Sequence, residues 1–215
     1  MNRKLIVWGS SGHAAVVADI IRLQARYDIV GFLDDGNPER REVDGINIVG
    51  GREQLDRLWL DGVKNLIFGF GDCRARLRLA ASARVKGFQF ATAIHPRAVV
   101  ADQTSIGSGV VIAAAAVVCP GAQLGENVII NTGATVDHGC RIGEAVHIGP
   151  GVHLGGFVTI GEGAWVCIGA TVCDRIRIGA NSIVGAGSVI TKDVPDGVVV
   201  YGVPGRVIRP IEAHP

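Results

Sequence analysis

From Ile94 onward every sixth residue is aliphatic: Val100, Ile106, Ile112, Val118, Leu124, Ile130, Val136, Ile142, Ile148, Leu154, Ile160, Val166, Val172, Ile178, Val184 and Ile190 follow without one insertion. Such residues fill about a quarter of an ordinary chain, so the run cannot be chance. Four residues after a beat the side chain is mostly small or β-branched, as at Ala98, Thr104, Val110, Ala116, Ala122, Val128, Ala134 and Cys140. Glycine often follows the beat, as at Gly107, Gly125, Gly143, Gly149 and Gly161. A period of six predicts a parallel β-helix, in which short strands stack coil on coil. The beat residue fills a narrow core, and Gly, Asn or Asp takes the unusual backbone angles near the corners.

Ahead of Ile94 the rhythm changes. "KLIVWG" reads as a strand, "AAVVADIIRLQARY" as a helix with one apolar face, and "DIVGFLDD" as a second strand. "GREQLDRLWL" is a helix, "NLIFGFGD" a third strand, and "CRARLRLAASARVKG" a basic amphipathic helix. Strands alternating with helices predict a small Rossmann-like parallel sheet. The chain therefore divides into an α/β domain over residues 1–93 and a β-helix with a C-terminal tail over 94–215.

Composition narrows the function. Lys plus Arg is 21 and Asp plus Glu 20, so no charge excess points to nucleic acid or to an acidic membrane surface. No apolar run reaches the roughly 20 residues of a membrane span, and the N-terminus lacks a secretory leader pattern. Five cysteines without a C-x-x-C pair read as reduced thiols. A cytoplasmic protein is expected.

Gly9-Ser10-Ser11-Gly12 follows the first strand and opens a helix, where backbone N–H groups can hold phosphate. Asp34 and Asp35 close the second strand and Gly71 the third, so all fall at the carboxyl edge of one sheet, where open α/β folds bind ligands. Plain turn chemistry accounts for each one singly; their convergence favours a nucleotide. The domain is too short for both halves of a dinucleotide fold, which points to a mononucleotide.

"GSSGH", "FLDD", "FGFGD", "NTGATVDHGC" and the closing "YGVPGR" together resemble the hexapeptide-repeat sugar acetyltransferases that modify nucleotide-linked amino sugars. GDP-perosamine and UDP-4-amino-sugar N-acetyltransferases belong there, with sialic acid O-acetyltransferases as relatives. The resemblance implies a left-handed triangular prism with three hexapeptides per coil, a homotrimer, and acetyl-CoA in a groove between subunits. It implies nucleotide-sugar binding by Ser11, Gly12, His13, Asp34, Asp35 and Gly71, and a catalytic base at His138. His147, Ile168 and Ala186 are implied as coenzyme contacts. Arg206 stands where relatives usually carry lysine and still suits a phosphate. Gly139 stands where the family usually carries an acid beside the histidine, which leaves Asp137 as the candidate helper.

With 18 residues per coil, equivalent positions stack about 4.8 Å apart. His138 then sits at a corner two places after a beat, below Gly156. That glycine leaves a notch beside the imidazole, and its N–H is the candidate oxyanion donor. Spacing alone reads His138 as a surface turn; the motif makes it a base able to accept an amine proton near neutral pH. His147 stacks with Trp165, as a coenzyme contact or as wall packing. His153 reads as structural or exposed. Glu126, Glu144 and Glu162, also 18 apart, read as a solvated corner. A zinc site of the hexapeptide-fold hydratases is disfavoured, because the positions 36 before His147 and His153 are Val111 and Val117; no metal is expected. The expected activity is acetyl transfer from acetyl-CoA to a nucleotide-linked amino sugar without an acyl-enzyme. Sialic acid O-acetylation is the alternative, and a metal-dependent hydratase or a non-catalytic β-helix scaffold are rivals of other classes.

Overall fold

The computed structural model describes residues 2–36 and 41–212. The first 90 residues form a four-stranded parallel sheet in the order β2-β1-β5-β6, made by β1 (Arg3–Trp8), β2 (Tyr27–Leu33), β5 (Asn65–Phe68) and β6 (Gln89–Phe90). Helix α1 (Gly12–Gln24) links β1 to β2, and α3 (Cys73–Val85) follows β5. Between β2 and β5 lie a two-stranded ribbon, β3 (Glu42–Val43) and β4 (Ile46–Asn47), and the short helix α2 (Leu55–Leu60). The ribbon and β6 are absent from the sequence reading: two-residue strands carry too little pattern to register.

The remainder is a parallel β-helix, consistent with a left-handed one. Two-residue strands stack in three sheets, and each pairs with the strand 18 residues on, as in Val111↔Ile129↔His147↔Trp165. The first wall starts at Ala93–Ile94, the second at Val99–Val100 and the third at Ser105–Ile106. Every beat residue from Ile112 to Ile190 is buried. Beside them, Val110, Ala116, Ala122, Val128, Ala134 and Cys140 fill the remaining core, so each hexapeptide sends two side chains inward.

Glycine serves the coils in two ways. Residues three after each beat, from Gly109 to Gly187, all have positive φ and turn the corners. Glycines directly after a beat do something else. A Cβ at Gly125 would lie 2.8 Å from the Glu144 nitrogen of the next coil, so only glycine lets the coils close there.

The outward residues differ from wall to wall. The outward residues Ala93, Val111 and Ile129 of the first wall are buried against α1, in one cluster with Ala14, Val17 and Ile21. Burying Val111 and Ile129 stabilises the junction by about 1.5–3 kcal/mol each. Outward residues of the third wall are polar: Ser105, Gln123, Arg141, Thr159 and Arg177. Those of the second wall are Val99, Val117, Thr135, His153, Thr171 and Val189, and Val99 is 63% exposed.

Helix α3 clamps the corner between the third and first walls. The buried Arg76 guanidinium donates to the carbonyls of Asn127 (3.2 Å), Ala145 (2.7 Å) and Phe70 (3.2 Å). Arg84 of the same helix bonds Glu126 and, at 3.1 Å, Glu144. Two rungs of the acidic ladder are therefore docking points on a corner that stays partly solvated; the sequence hid this because Arg84 is distant in the chain. The expected tail is structured as well. Val198–Gly202 pairs in parallel with Ile183–Val184, and Gly205–Pro210 folds back on it antiparallel. Among the described residues no helix is long and apolar enough to cross a membrane.

Candidate active site

The predicted site residues fall in three places. The first is the carboxyl edge of the sheet. A cleft of about 300 Å³ there is lined by Trp8, Ser10, Asp34, Asp35, Arg52 and Arg78, among others. Ser10 donates to Asp34, whose other oxygen accepts from the Gly36 N–H at 2.8 Å. Asp35 accepts from Trp8 Nε1 (3.1 Å) and from Arg52 (2.7 Å from the backbone, 3.0 Å from the side chain). Those hydrogen bonds and the guanidinium charge outweigh partial burial and hold the Asp35 carboxyl below its usual range. Ser11 stands at the N-cap position of α1 without a side-chain capping bond, and a Cβ at Gly12 would meet nothing within 4 Å. The chain itself does not demand glycine there. Trp8, Arg52 and Arg78 escaped the sequence reading, since one looked like plain strand and two lie on helical segments without a motif; Ser10 entered it only as part of the Gly9–Gly12 turn.

The second place is the seam between the domains, and it collects His13, Gly71 and His147. The His147 ring is 8% exposed, with Nδ1 3.2 Å from the Gly71 carbonyl and Nε2 3.3 Å from Asn131 Nδ2. Trp165 stacks on it at 5.8 Å and 12°. The His13 ring lies 6.1 Å away. Burial, then the Arg76 charge, pushes His13 down to about 4. The same two causes, and His13 itself, push His147 down to about 3. Both histidines are neutral near pH 7. Above them Trp165, 43% exposed, enters a cleft of about 570 Å³ with Arg74, Ile183 and Arg209. Thus His147 stacks with Trp165 as the lattice predicts and is also held by the N-terminal domain.

The third place is the outer surface of the prism. His138 lies on the corner between the second and third walls, its side chain 55% exposed. Its Nδ1 is 2.8 Å from Asp137 Oδ1, which also accepts the His138 backbone N–H at 2.6 Å. These bonds, the side-chain one foremost, lower the Asp137 carboxyl. A Cβ at Gly156 would come within 2.8 Å of His138 Nε2, so the notch beside the imidazole exists. The Gly156 N–H, however, donates to Asp174 Oδ1 at 3.0 Å. As an oxyanion donor it has to exchange that carboxylate, which stands one coil above in the same column. Ile168, 59% exposed, and Ala186 occupy a different corner, between the first and second walls. Arg206 is exposed on the final hairpin, donating to the Gly205 carbonyl. His153 lies on the second wall with Nδ1 2.9 Å from Thr135 Oγ1. Among the described residues no three His, Cys, Asp or Glu side chains gather as a metal set.

Comparison with known proteins agrees with this architecture. The PglD N-terminal domain model matches residues 4–83, and bacterial transferase hexapeptide repeats match 121–156 and 157–192. PerB from Caulobacter crescentus, solved with CoA and GDP-perosamine, is 38% identical over 96% of this chain and 97% of its own, with a TM-score of 0.91. The chain belongs to the hexapeptide-repeat sugar acetyltransferases. The acetyltransferase domain of PglB from Neisseria gonorrhoeae FA1090, solved with acetyl coenzyme A, is 38% identical over 97% of this chain and all of that domain, with a TM-score of 0.90. A 31-residue stretch is also 64% identical to galactoside O-acetyltransferase of Escherichia coli (strain K12). That match spans 14% of this chain and only 15% of the curated relative.

Proposed function

We propose that the protein is a cytoplasmic homotrimer that transfers acetyl from acetyl-CoA to the amino group of a nucleotide-diphosphate-linked sugar. One observation carries the reading: His138 stands on an exposed edge with Nδ1 bound to Asp137 and Nε2 facing the Gly156 notch. A base needs that arrangement. Asp137 fixes the tautomer, and Nε2 is left for the substrate proton.

The amine nitrogen attacks the thioester carbonyl carbon while His138 Nε2 takes the amine proton. The tetrahedral intermediate then collapses with cleavage of the carbon–sulfur bond, and the departing thiolate takes the proton from the His138 imidazolium, which restores the base. A thioester is already activated, so no acyl-enzyme is needed. The Gly156 N–H, released from Asp174, stabilises the oxyanion.

The placement of the parts supports a trimer. The N-terminal domain covers the first wall, and in a three-sided prism the edge opposite that wall is the one bearing His138. A sugar held at Ser10, Asp34 and Asp35 therefore cannot reach the histidine of its own chain. The uncovered second wall joins the His138 corner to the corner of Ile168 and Ala186. Three prisms turning that wall toward a common axis bring one chain's His138 beside its neighbour's Ile168 and Ala186. Coenzyme then runs between two chains. Ser11, Gly12 and the sheet-edge acids hold the nucleotide, with Arg52 and Arg78 near its phosphates. The free space at Gly12 suits close approach of a phosphate to the start of α1. His13, Gly71 and His147 line the seam behind this site, and Arg206 faces coenzyme phosphate.

Thermal-shift screening of UDP-, GDP- and dTDP-amino sugars with and without CoA tests the assignment. Thiol release from acetyl-CoA in the presence of the stabilising sugar then measures turnover. Mixing His138→Ala chains with chains blocked at Ala186→Trp, then refolding them together, tests the shared site. Restoration of about a quarter of wild-type activity is expected, the statistical share of sites with two intact halves. Failure to restore any activity removes the shared site. GDP-perosamine, bound by the Caulobacter crescentus relative, is the first sugar to try.

A further inference from the structure

Fourteen consecutive corner residues, from Gly109 to Gly187 at intervals of six, adopt positive φ. Eight are glycine, and Ala115, Asn127, Ala145 and Asn181 are small or readily left-handed. The two exceptions are Phe157 (φ 57°) and Arg175 (φ 62°). A bulky side chain in this region is an outlier that needs a reason. Both exceptions stand in a single column, one and two coils above Gly139, next to His138.

Contacts supply the reason. The Phe157 ring meets the His138 ring at 4.8 Å and 84°, an edge-to-face arrangement. The Arg175 guanidinium lies over the Phe157 ring, 5.0 Å from its centroid. Backbone bonds fix the column: Phe157 N–H donates to the His138 carbonyl at 2.9 Å, and Arg175 N–H to that of Gly156 at 2.8 Å. Gly139 makes room. A Cβ there would lie 2.6 Å from Phe157 Cδ1 and Cε1, so no side chain at 139 coexists with this ring. Residues 139 and 157 form one coupled choice: an acid beside the histidine, or an aromatic ring from the coil above.

We propose that Phe157, braced by Arg175, is the positioning residue that holds the His138 imidazole for proton transfer in place of an acidic neighbour at position 139. The proposal rests on His138 being the base. Asp137 pins Nδ1, and the ring restricts rotation of the imidazole away from the Gly156 notch. A side chain adopted against its backbone preference is retained here for alignment, not for stability.

The test uses Phe157→Gly, because glycine suits the left-handed corner. Turnover is followed as thiol release from acetyl-CoA with whichever GDP-, UDP- or dTDP-linked amino sugar the wild-type protein acetylates fastest. The expected result is a melting temperature no lower than wild type, a kcat about ten- to a hundredfold lower, and an unchanged KM for acetyl-CoA. Phe157→Tyr, which keeps the ring, restores kcat. The double variant Gly139→Glu, Phe157→Gly regains activity over Phe157→Gly alone, with an altered pH profile. Wild-type kcat in Phe157→Gly overturns the proposal while leaving the base intact. A lower melting temperature with KM and kcat failing together marks simple packing and overturns it too. Turnover surviving in His138→Ala removes the base itself, and the proposal with it.

Discussion

His138 and His147 lie nine residues apart in one repeat, yet their surroundings are opposite. His147 sits on the first wall under the N-terminal domain, held by a carbonyl, an amide and an indole, and burial makes its protonation unfavourable. His138 stands on the opposite edge with one nitrogen on a carboxylate and the other beside a notch. Both occupy regular lattice positions of the prism. What differs is which face another element covers. One histidine is part of the joint between domains, and the other is available for chemistry.

The contrast is broken most severely at the outer edge. His138→Ala is expected to lower acetyl transfer by about a hundred- to ten-thousandfold, as loss of a general base does, without changing the melting temperature. Parallel kinetics and calorimetry check both halves. His147→Ala should reverse the pattern and lower the melting temperature.

Next in size comes the clamp beneath His147. Arg76→Met removes three donors from buried carbonyls on both domains. Leaving such acceptors unsatisfied should cost about 3 kcal/mol, read by denaturant unfolding, with faster hydrogen exchange in α3. The loss is softened because the charge disappears together with its burial penalty.

Acid sharpens the same comparison. His13 and His147 stay neutral in the fold, pushed to about 4 and about 3, whereas in the unfolded chain each takes a proton near 6.5. Between about pH 4 and 6.5 the unfolded state therefore binds more protons, and stability rises with pH through that window. Melting temperatures should fall as pH drops from 6.5 toward 4, and replacing both histidines by phenylalanine should flatten the slope. An unchanged slope in that double variant would mean that the seam is not what titrates.

The smallest effect belongs to Arg84. Its partners Glu126 and Glu144 are partly exposed, so Arg84→Ala should cost less than about 1 kcal/mol, and less again in high salt.

The amino-acid sequence determined the β-helix. An uninterrupted aliphatic beat, a second small residue per hexapeptide and corner glycines leave a chain few ways to bury its apolar surface; three such units per coil were implied by the family resemblance, and the strand pairing has that register of 18. The β-α alternation likewise determined the sheet and brought Ser10, Asp34 and Asp35 to one edge. Even the notch at Gly156 was legible, because a lattice fixes which residue lies over which. Tertiary structure alone decided the rest. It chose the wall that the N-terminal domain covers, took His147 out of water and spent Arg84 on the acidic ladder. It also put an aromatic ring against His138 from a corner where the repeat expects glycine. Periodicity governs what repeats along one chain. Contacts between unlike elements, and side chains held against their backbone preference, obey no period, because each depends on a neighbour that the local pattern does not encode.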